Sequence, residues 1–334
     1  MREFFREILH ALEAGRPVEL VSVVRASGST PRGAGAMMAV FPDGRAVGTV
    51  GGGSAEFESQ KHAAALLKTG GEDLCRFRFI QGEAASLGMV CGGDVEVQFQ
   101  YLSPADEAVL TVLREMKEAC AHSADLWLVR RIEDGRVTAM GTAGRDAVRH
   151  LEAPPENLPD LLGPRAVYDG QWFAVPVVKA GRTYIFGGGH VSQALVPVLA
   201  GLDFRPVVYD DRPEFADPAL FPGAEQTLCG SFLELSRHVT VTPDDCVVIM
   251  TRGHQADYEV LTQVLRSGAR YIGCIGSRKK LALCRDKLLA AGFTEAEYAC
   301  VHAPIGLAIG AETPAEIAIS VAAEMIAVRA GVKP

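Results

Sequence analysis

The pattern of hydrophobic and polar positions changes about halfway along the chain. In the first half, apolar runs are paired across Asp-Gly dipeptides, as in MMAVFPDGRAVGTV, LWLVRRIEDGRVTAM and AVYDGQWFAVPV. Asp-Gly tolerates the positive φ angles of tight hairpins. Helices are predicted near residues 55–68 and 105–120, and at the N-terminus, where Phe5, Ile8 and Leu12 share one face. These elements predict a hairpin-rich, mixed α+β domain.

In the second half, short apolar runs alternate with helical patterns. The predicted strands are TYIFG, RPVVYDD, CVVIMTRG and RYIGCIGS. After the first strand, apolar residues from Val191 onward follow one helical face, and Pro197 is expected to kink that helix. Thr313, Pro314 and Glu316 predict the start of a last helix, as N-cap, first-turn proline and capping-box acid. The alternation predicts a Rossmann-like, doubly wound parallel sheet.

The length of the chain and this change of pattern predict two domains. The 334 residues are enough for two cores. We place the α+β domain at residues 1–178 and the Rossmann-like domain at residues 179–334. Residues 151–165 contain four prolines and are interpreted as a linker or a covering loop. No sequence repeat is apparent.

Composition and charge argue against several classes of function. The net charge is −8, so a nucleic-acid partner is not expected. The N-terminus is too charged for a signal peptide. The apolar segment near the C-terminus carries Glu316, Glu324 and Arg329, so a membrane span is not expected. Eight cysteines without a C-x-x-C pair predict reduced thiols in a cytoplasmic protein.

An incomplete dinucleotide-binding fingerprint opens the second half. Gly187, Gly189 and Ser192 occupy the G-x-G-x-x-G positions, with serine in the third. Asp210 and Asp211 end the next predicted strand, where an acid that binds ribose would lie. The alternative is a glycine turn without a ligand. Binding of a nucleotide-like ligand is favoured, because ligands bind at the carboxyl ends of parallel strands.

Further polar residues follow the other predicted strands and should lie on the same rim of the sheet. The candidates on this rim are His190, Arg252, His254, Gly276, Ser277, Arg278, Lys279 and His302. Basic residues at a helix start suit a phosphate or a similar oxyanion. Each histidine alone is more often a loop residue with local hydrogen bonds. Together they favour a polar ligand or a metal, although not zinc, because H-x-x-x-H spacing is absent.

A glycine corner in the first half is a second candidate for anion binding. Gly51, Gly52 and Gly53 precede a predicted helix, and Glu56 lies in its first turn. The backbone N–H groups of such a corner can bind an anion. Alternatively, the glycines only allow close packing, and Glu56 satisfies the helix dipole. The sequence leaves both interpretations open.

A third glycine corner contains the cysteine that is the best candidate for sulfur chemistry. Cys91 precedes Gly92 and Gly93 and then an alternating strand. Glycine amides can stabilise a thiolate, which is a nucleophile and a soft metal ligand. A lone cysteine is, however, more often buried and inert. The other seven cysteines are interpreted as packing residues.

These segments, taken together, resemble the XdhC/CoxI family of accessory proteins for molybdenum hydroxylases. The similarity covers most of the chain in the family's order, except about 103–175. The segments that carry it are VVRASGSTPRGAGAMMAVFPDGRAVGTVGGGSAEFE, LGMVCGGDVEV, IFGGGHVSQALVPVLAGLDFRPVVYDDRPEF, MTRGHQADYEVLTQVLRSGARYIGCIGSRKK and HAPIGLAIGAETPAEIAISVAAE. The family usually has two cysteines at its glycine corners. Ser54 stands where one of them is expected, and Cys91 is the one that remains.

The resemblance implies a cofactor chaperone rather than a metabolic enzyme. Family members bind the molybdenum cofactor, which is molybdopterin or its nucleotide form. They assist its sulfuration with a cysteine desulfurase and insert it into an apo molybdenum hydroxylase such as xanthine dehydrogenase. The family fold is an N-terminal domain followed by a Rossmann-like domain, and members are often homodimers.

The residues and the resemblance lead to one hypothesis about the site. The Rossmann-like domain is expected to hold the phosphate or nucleotide end of the cofactor through residues 187–190 and 277–279. Cys91 and the corner at residues 51–56 are expected to face the molybdenum from the other domain. The alternatives are an NAD(P)-dependent oxidoreductase and a non-catalytic NAD(P)-binding scaffold.

Overall fold

Contacts between residues divide the chain into two units, Met1–Lys179 and Ala180–Pro334. Within the residues described, no helix is long and apolar enough to cross a membrane. The computed structural model describes residues 1–28, 30, 32–79, 93–122, 125–145, 147–178 and 180–333.

In its described part, the first unit consists of two antiparallel sheets and the helices that cover them. The strands of the first sheet are β1 (Val18–Gly28), β2 (Met37–Val40), β3 (Ala46–Gly48), β4 (Asp73–Phe79) and β5 (Gly93–Leu102). The strands of the second sheet are β6 (Leu126–Glu133), β7 (Arg136–Ala143), β8 (Val148–Arg149), β9 (Val167–Tyr168) and β10 (Trp172–Val178). The helices are α1 (Arg2–Glu13), α2 (Gly53–Thr69), α3 (Glu107–His122) and α4 (Leu158–Leu161).

The two sheets of the first unit repeat one topology. The element order α-β-β-β-α-β-β runs from α1 to β5 and again from α3 to β10. The strand orders β3-β2-β1-β5-β4 and β8-β7-β6-β10-β9 correspond position by position. The sequence shows no such repeat, because a shared topology requires only similar apolar patterns and not the same side chains. The duplication is therefore a finding of the structure alone.

A central apolar core joins both halves of the duplicated fold. Ile8 and Leu12 of α1, Leu20 of β1, Leu113 of α3 and Phe173 of β10 are all buried in it. This confirms the predicted apolar face of the N-terminal helix. Helices α2 and α3 also lie within two residues of their predicted bounds.

The three predicted hairpins form as the Asp-Gly turns indicate. They join β2 to β3, β6 to β7 and β9 to β10. Asp134 and Gly135, between β6 and β7, have φ angles of 48° and 77°, as a turn with two left-handed residues requires. The proline-rich residues 151–165 contain α4, whose Leu158 and Leu161 are buried against the second sheet. This segment therefore covers a core.

The second unit is a six-stranded parallel sheet over its described residues, and it confirms the predicted Rossmann-like fold. The strand order is β13-β12-β11-β14-β15-β16. The strands are β11 (Thr183–Phe186), β12 (Pro206–Asp210), β13 (Gln226–Cys229), β14 (Cys246–Ile249), β15 (Tyr271–Cys274) and β16 (Val301–His302). The helices are α5 (His190–Gly201), α6 (His254–Val264), α7 (Arg278–Ala290), α8 (Glu295–Tyr298) and α9 (Pro314–Arg329).

Alternating strand residues place helices on both faces of this sheet. Phe186 packs in the core that contains α6 and α7 residues, whereas Ile185 packs in the core of α5 and α9. Thr313 caps α9 and forms the predicted capping box with Glu316. The chain runs outward from β11 in both directions, to β12 on one side and β14 on the other. Such a switch point leaves a crevice at the carboxyl ends of the strands.

Candidate ligand-binding site

The glycine corner after β11 is built from two packing glycines and one that faces open space. A Cβ atom on Gly187 would lie 2.2 Å from the Met250 carbonyl oxygen, and one on Gly188 would lie 1.9 Å from the Phe215 carbonyl oxygen. A Cβ on Gly189 would meet no heavy atom within 4 Å. The first two glycines therefore let β11, β14 and the loop after β12 approach closely, and the third leaves room for a ligand.

We expect Gly188→Ala to destabilise the second unit by about 3 kcal/mol or more, because its Cβ would overlap a backbone carbonyl that cannot move alone. Gly189→Ala is the matched control, since its φ of −70° is ordinary and its Cβ is unhindered. Differential scanning calorimetry of both variants measures the difference. Equal transition temperatures for the two variants would contradict this account of the corner.

Serine at the third fingerprint position has a structural reason. Ser192 is almost fully buried, and its hydroxyl donates a 2.5 Å hydrogen bond to the Gly187 carbonyl oxygen. A small residue is needed where α5 packs against the turn. The hydroxyl also satisfies a carbonyl of the corner itself.

The Asp210 carboxylate is bound by the protein's own donors. Oδ2 accepts hydrogen bonds from the Gly188 backbone N–H at 2.7 Å and from Arg212 Nη2 at 3.1 Å. Oδ1 accepts from the backbone N–H and Nε of Arg212, at 3.0 and 2.9 Å. Burial opposes ionisation, but these hydrogen bonds and the Arg212 charge lower the pKa of Asp210. Asp210 therefore holds the glycine corner in place.

Asp211 and Arg252 connect the loops on either side of β11. Arg252 Nη2 lies 2.9 Å from Asp211 Oδ2, so the pair links the end of β12 to the loop after β14. Asp211 Oδ1 is buried and has no hydrogen-bond partner among the residues described. The charge of Arg212 faces this oxygen, with Arg212 Nε 3.7 Å from Asp211 Oδ1.

Two helices point uncapped N-termini towards this rim. Gly189 and Gly253 are the N-caps of α5 and α6, and neither helix has a side-chain cap. Asp257, in the first turn of α6, accepts hydrogen bonds from the backbone and hydroxyl of Thr251 at 3.2 and 2.6 Å. Burial nevertheless raises the pKa of Asp257. His190 and His254 are the exposed first residues of the two helices.

The start of α7 contradicts the usual charge preference of a helix. Ser277 is the N-cap and accepts from the Lys280 backbone N–H at 3.4 Å. The first turn carries Arg278, Lys279 and Lys280 and no acidic residue, although the helix dipole favours negative charge there. An external anion would compensate this arrangement. Lys280 was not among the predicted residues, although it continues the same basic run in the sequence.

His302 lies apart from the other two rim histidines, beside the edge strand β16. Its Nδ1 is 3.3 Å from Glu324 Oε1 on α9, and its ring packs 4.7 Å from that of Tyr271. The same carboxylate accepts from the Tyr271 hydroxyl at 2.6 Å and from the Gly306 backbone N–H at 2.9 Å. The predicted histidines are thus divided between the switch point and the sheet edge.

At the glycine corner before α2, a side chain of the protein occupies the backbone amides. Glu56 accepts a 3.0 Å hydrogen bond from the Gly52 N–H and another from the Thr49 hydroxyl. Although partial burial opposes it, hydrogen bonding to Thr49 and to the backbone of this corner lowers the pKa of Glu56. Gly52 has φ 74° at the N-cap, and Gly51 and Gly53 also have positive φ. Glu56 therefore acts as the anion of this corner.

The cysteines whose side chains are described differ in burial. Cys91 and Gly92 lie outside the described residues, whereas Gly93 is the first residue of β5. Cys246 and Cys284 are buried as predicted, and burial raises the pKa of each to about 11. Cys229 and Cys300 are exposed and do not fit the prediction that every other cysteine is a packing residue.

Comparisons with known proteins agree with this architecture. A family model described as "XdhC Rossmann domain" matches residues 183–325, and a second one, described as "XdhC and CoxI family", matches residues 11–78. The chain is 28% identical to a protein of Bacillus subtilis (strain 168) described as a probable xanthine dehydrogenase subunit, over 97% of each chain. It is 23% identical to the molybdenum cofactor insertion chaperone PaoD of Escherichia coli (strain K12), over 98% of this chain and 88% of PaoD.

A solved structure shares the whole fold. It is described as a xanthine dehydrogenase from Bacillus halodurans, has a TM-score of 0.82 and 24% identity, and covers 98% of this chain and 96% of its own. The two matched family regions together span more than half of the chain and fall in both units. The chain therefore belongs to the XdhC and CoxI family.

Proposed function

We propose that this protein binds the molybdenum cofactor, assists its sulfuration and delivers it to a xanthine dehydrogenase-type hydroxylase. The observation that carries the proposal is the rim of the second unit, where two uncapped helix N-termini and a basic third one follow β11, β14 and β15. Helix N-termini and basic side chains bind phosphate groups. The names of two relatives, a cofactor insertion chaperone and a component of xanthine dehydrogenase, support the same function.

The donors of this rim fit the phosphate or nucleotide end of the cofactor. We assign phosphate binding to the N-terminus of α5 at Gly189 and to the side chains of Arg278 and Lys279. At the start of α6 the Gly253 N–H already donates a long, 3.4 Å hydrogen bond to the Thr251 hydroxyl, which a phosphate would have to replace. Asp210 is a positioning residue in this assignment, because its oxygens already accept four hydrogen bonds.

The metal end of the cofactor is assigned to Cys91 on chemical grounds. The bound cofactor supplies a molybdenum centre, and thiolate sulfur is a ligand that suits such a soft site. The proposal includes a cysteine desulfurase as sulfur donor, an apo molybdenum hydroxylase as client, a homodimer and a cytoplasmic location. The desulfurase, the client and the homodimer follow from the resemblance, and the cytoplasmic location follows from the cysteine content; each is open to test.

The test is to co-express the chain with the cofactor pathway and to measure bound pterin and molybdenum after purification. We expect the wild type to retain both. The double variant Arg278→Glu, Lys279→Glu should retain about tenfold less or lower, because it replaces two charge-assisted contacts by repulsion. Lys287→Glu, at the other end of α7, is the matched control. A wild type that stays empty beside abundant cofactor would contradict the proposal.

An NAD(P)-binding function is the second candidate, favoured by the strand order and the glycine corner at the switch point. Such a site needs a carboxylate that is free to bind the ribose hydroxyls of the cofactor. The Asp210 carboxylate argues against it, because it already accepts hydrogen bonds from Gly188 and Arg212. Native mass spectrometry of the freshly purified protein distinguishes the ligands. A nicotinamide dinucleotide bound without pterin would favour a scaffold, and turnover of a substrate would favour an oxidoreductase.

A further inference from the structure

Three potential metal ligands, none of them predicted from the sequence as site residues, converge in the first unit. His62 lies on α2, and Asp73 and Cys75 lie on β4. Their ligand atoms lie within 4.8 Å of one another, the one such group among the described residues of the chain. Asp73 and Cys75 alternate along the strand and so face the same side. Gly70, the left-handed C-cap of α2 with φ 67°, reverses the chain and brings His62 to that side.

The separations of the three atoms are close to those of a tetrahedral metal centre. His62 Nε2 lies 2.9 Å from Asp73 Oδ2 and 3.7 Å from Cys75 Sγ, and Cys75 Sγ lies 3.1 Å from Asp73 Oδ2. Zinc, with bonds of about 2.3 Å to sulfur and about 2.0–2.1 Å to nitrogen or oxygen, separates such ligands by about 3.3–3.6 Å. Each separation would have to change by only about 0.5 Å or less.

Neighbouring groups orient two of the three ligands. The Leu74 backbone N–H donates to Asp73 Oδ1 at 2.8 Å, which leaves Oδ2 facing His62 and Cys75. The Phe99 ring contacts the His62 ring edge-on, with 4.7 Å between centroids. Outer contacts of this kind hold metal ligands in position. The His62 and Asp73 side chains are 37% and 42% exposed, so an ion and a water molecule can reach the cluster.

The geometry argues against a catalytic triad of the same three residue types. A Cys-His-Asp triad needs the thiol and the carboxylate on opposite nitrogens of the imidazole. Here the same nitrogen, His62 Nε2, faces both Asp73 and Cys75.

We propose that His62, Asp73 and Cys75 bind one zinc ion, with the fourth position open to water or another ligand. One nitrogen, one sulfur and one oxygen ligand suit zinc. They do not suit magnesium or calcium, because these ions prefer oxygen ligands only. On binding, Cys75 coordinates as the thiolate and its proton passes to solvent. The ion ties the middle of α2 to β4. The observations behind this proposal are separate from those behind the proposed cofactor-binding rim, which belongs to the second unit.

The experiment uses the full chain, freed of metal by a chelator and then titrated with zinc against a chromophoric competitor. Cobalt, which replaces zinc, reports the sulfur ligand by a thiolate-to-metal charge-transfer band. We expect one tight zinc site in the wild type and that band in its cobalt form. Cys75→Ser should remove the band, and Cys75→Ser and His62→Ala should each weaken zinc binding about 100-fold or more.

Cys229→Ser is the matched control, because Cys229 is an exposed cysteine of the second unit. It should retain the band and the wild-type affinity. Fluorescence of Trp127 and Trp172, both buried in the first unit, shows whether each variant is folded. The proposal would be overturned if the wild type had no stoichiometric zinc site, or if the charge-transfer band persisted in folded Cys75→Ser. The three side chains would then form only a hydrogen-bonded cluster.

Discussion

Gly189→Glu is expected to lower the affinity for the molybdenum cofactor about 100-fold or more, while the second unit stays folded. The new carboxylate would lie at the N-terminus of α5, where we place the phosphate of the ligand. Like charges about 4 Å apart near a protein surface repel by about 4 kcal/mol. The fold should tolerate the change, because the φ of Gly189 is −70° and no heavy atom lies within 4 Å of its Cβ position.

Gly201→Glu provides the matched control for this variant. Gly201 ends the same helix, and its Cβ position is also free of neighbours within 4 Å. Both variants add one negative charge to α5, at opposite ends. Pterin and molybdenum retained after co-expression are compared by fluorescence and elemental analysis, with circular dichroism to confirm folding. Equal retention by the two variants would remove the α5 N-terminus from the site.

Glu19→Gln is expected to make the first unit markedly more resistant to unfolding above pH 7. Glu19 on β1 is fully buried, and neither carboxyl oxygen has a hydrogen-bond partner within the described part of the chain. Burial, and then the nearby charge of Glu72, raises the pKa of Glu19 to about 9. The carboxyl group is therefore neutral in the folded protein at pH 7.

The direction of the effect follows from proton binding. Unfolded Glu19 ionises near pH 4.3, whereas folded Glu19 keeps its proton up to about pH 9, so stability falls as pH rises between these values. The free energy of unfolding falls by about 1.4 kcal/mol per pH unit, or by about 4 kcal/mol between pH 5 and pH 8. Burial also raises the pKa of Glu72, which adds to the wild-type slope. The pKa of Arg130, lowered to about 10 by burial, lies above this window.

Glutamine keeps the size of the side chain and cannot ionise, so the part of the slope due to Glu19 should disappear in the variant. Urea unfolding at pH 5, 6.5 and 8 measures this, followed by tryptophan fluorescence. Both tryptophans, Trp127 and Trp172, belong to the first unit. Glu58→Gln, on the exposed side of α2, is the control. Parallel stability curves for wild type and Glu19→Gln would show that Glu19 ionises normally.

Features that depend on a few neighbouring residues could be predicted. The Asp-Gly hairpins, the amphipathic face of α1 and the capping box at Thr313 follow from local turn chemistry, periodicity and capping. The parallel sheet followed from the alternation of strands and helices. The glycine corner after β11 was located in the same way, because a strand, a turn and a helix start are contiguous in sequence.

The tertiary structure decided which of the candidate residues remain available to a ligand. The sequence placed Asp210 and Glu56 at glycine corners, but only the fold shows both carboxylates bound to backbone amides of their own corners. It likewise decided that His302 pairs with Glu324.

The sequence by itself determined the hairpins, the parallel sheet and the helix starts that local patterns encode, and it predicted the rim of the second unit where a ligand is expected. Only the tertiary structure revealed the duplicated topology of the first unit and the convergence of His62, Asp73 and Cys75. The physical reason is that secondary structure depends on local patterns, whereas the partner of a side chain depends on which elements pack against each other.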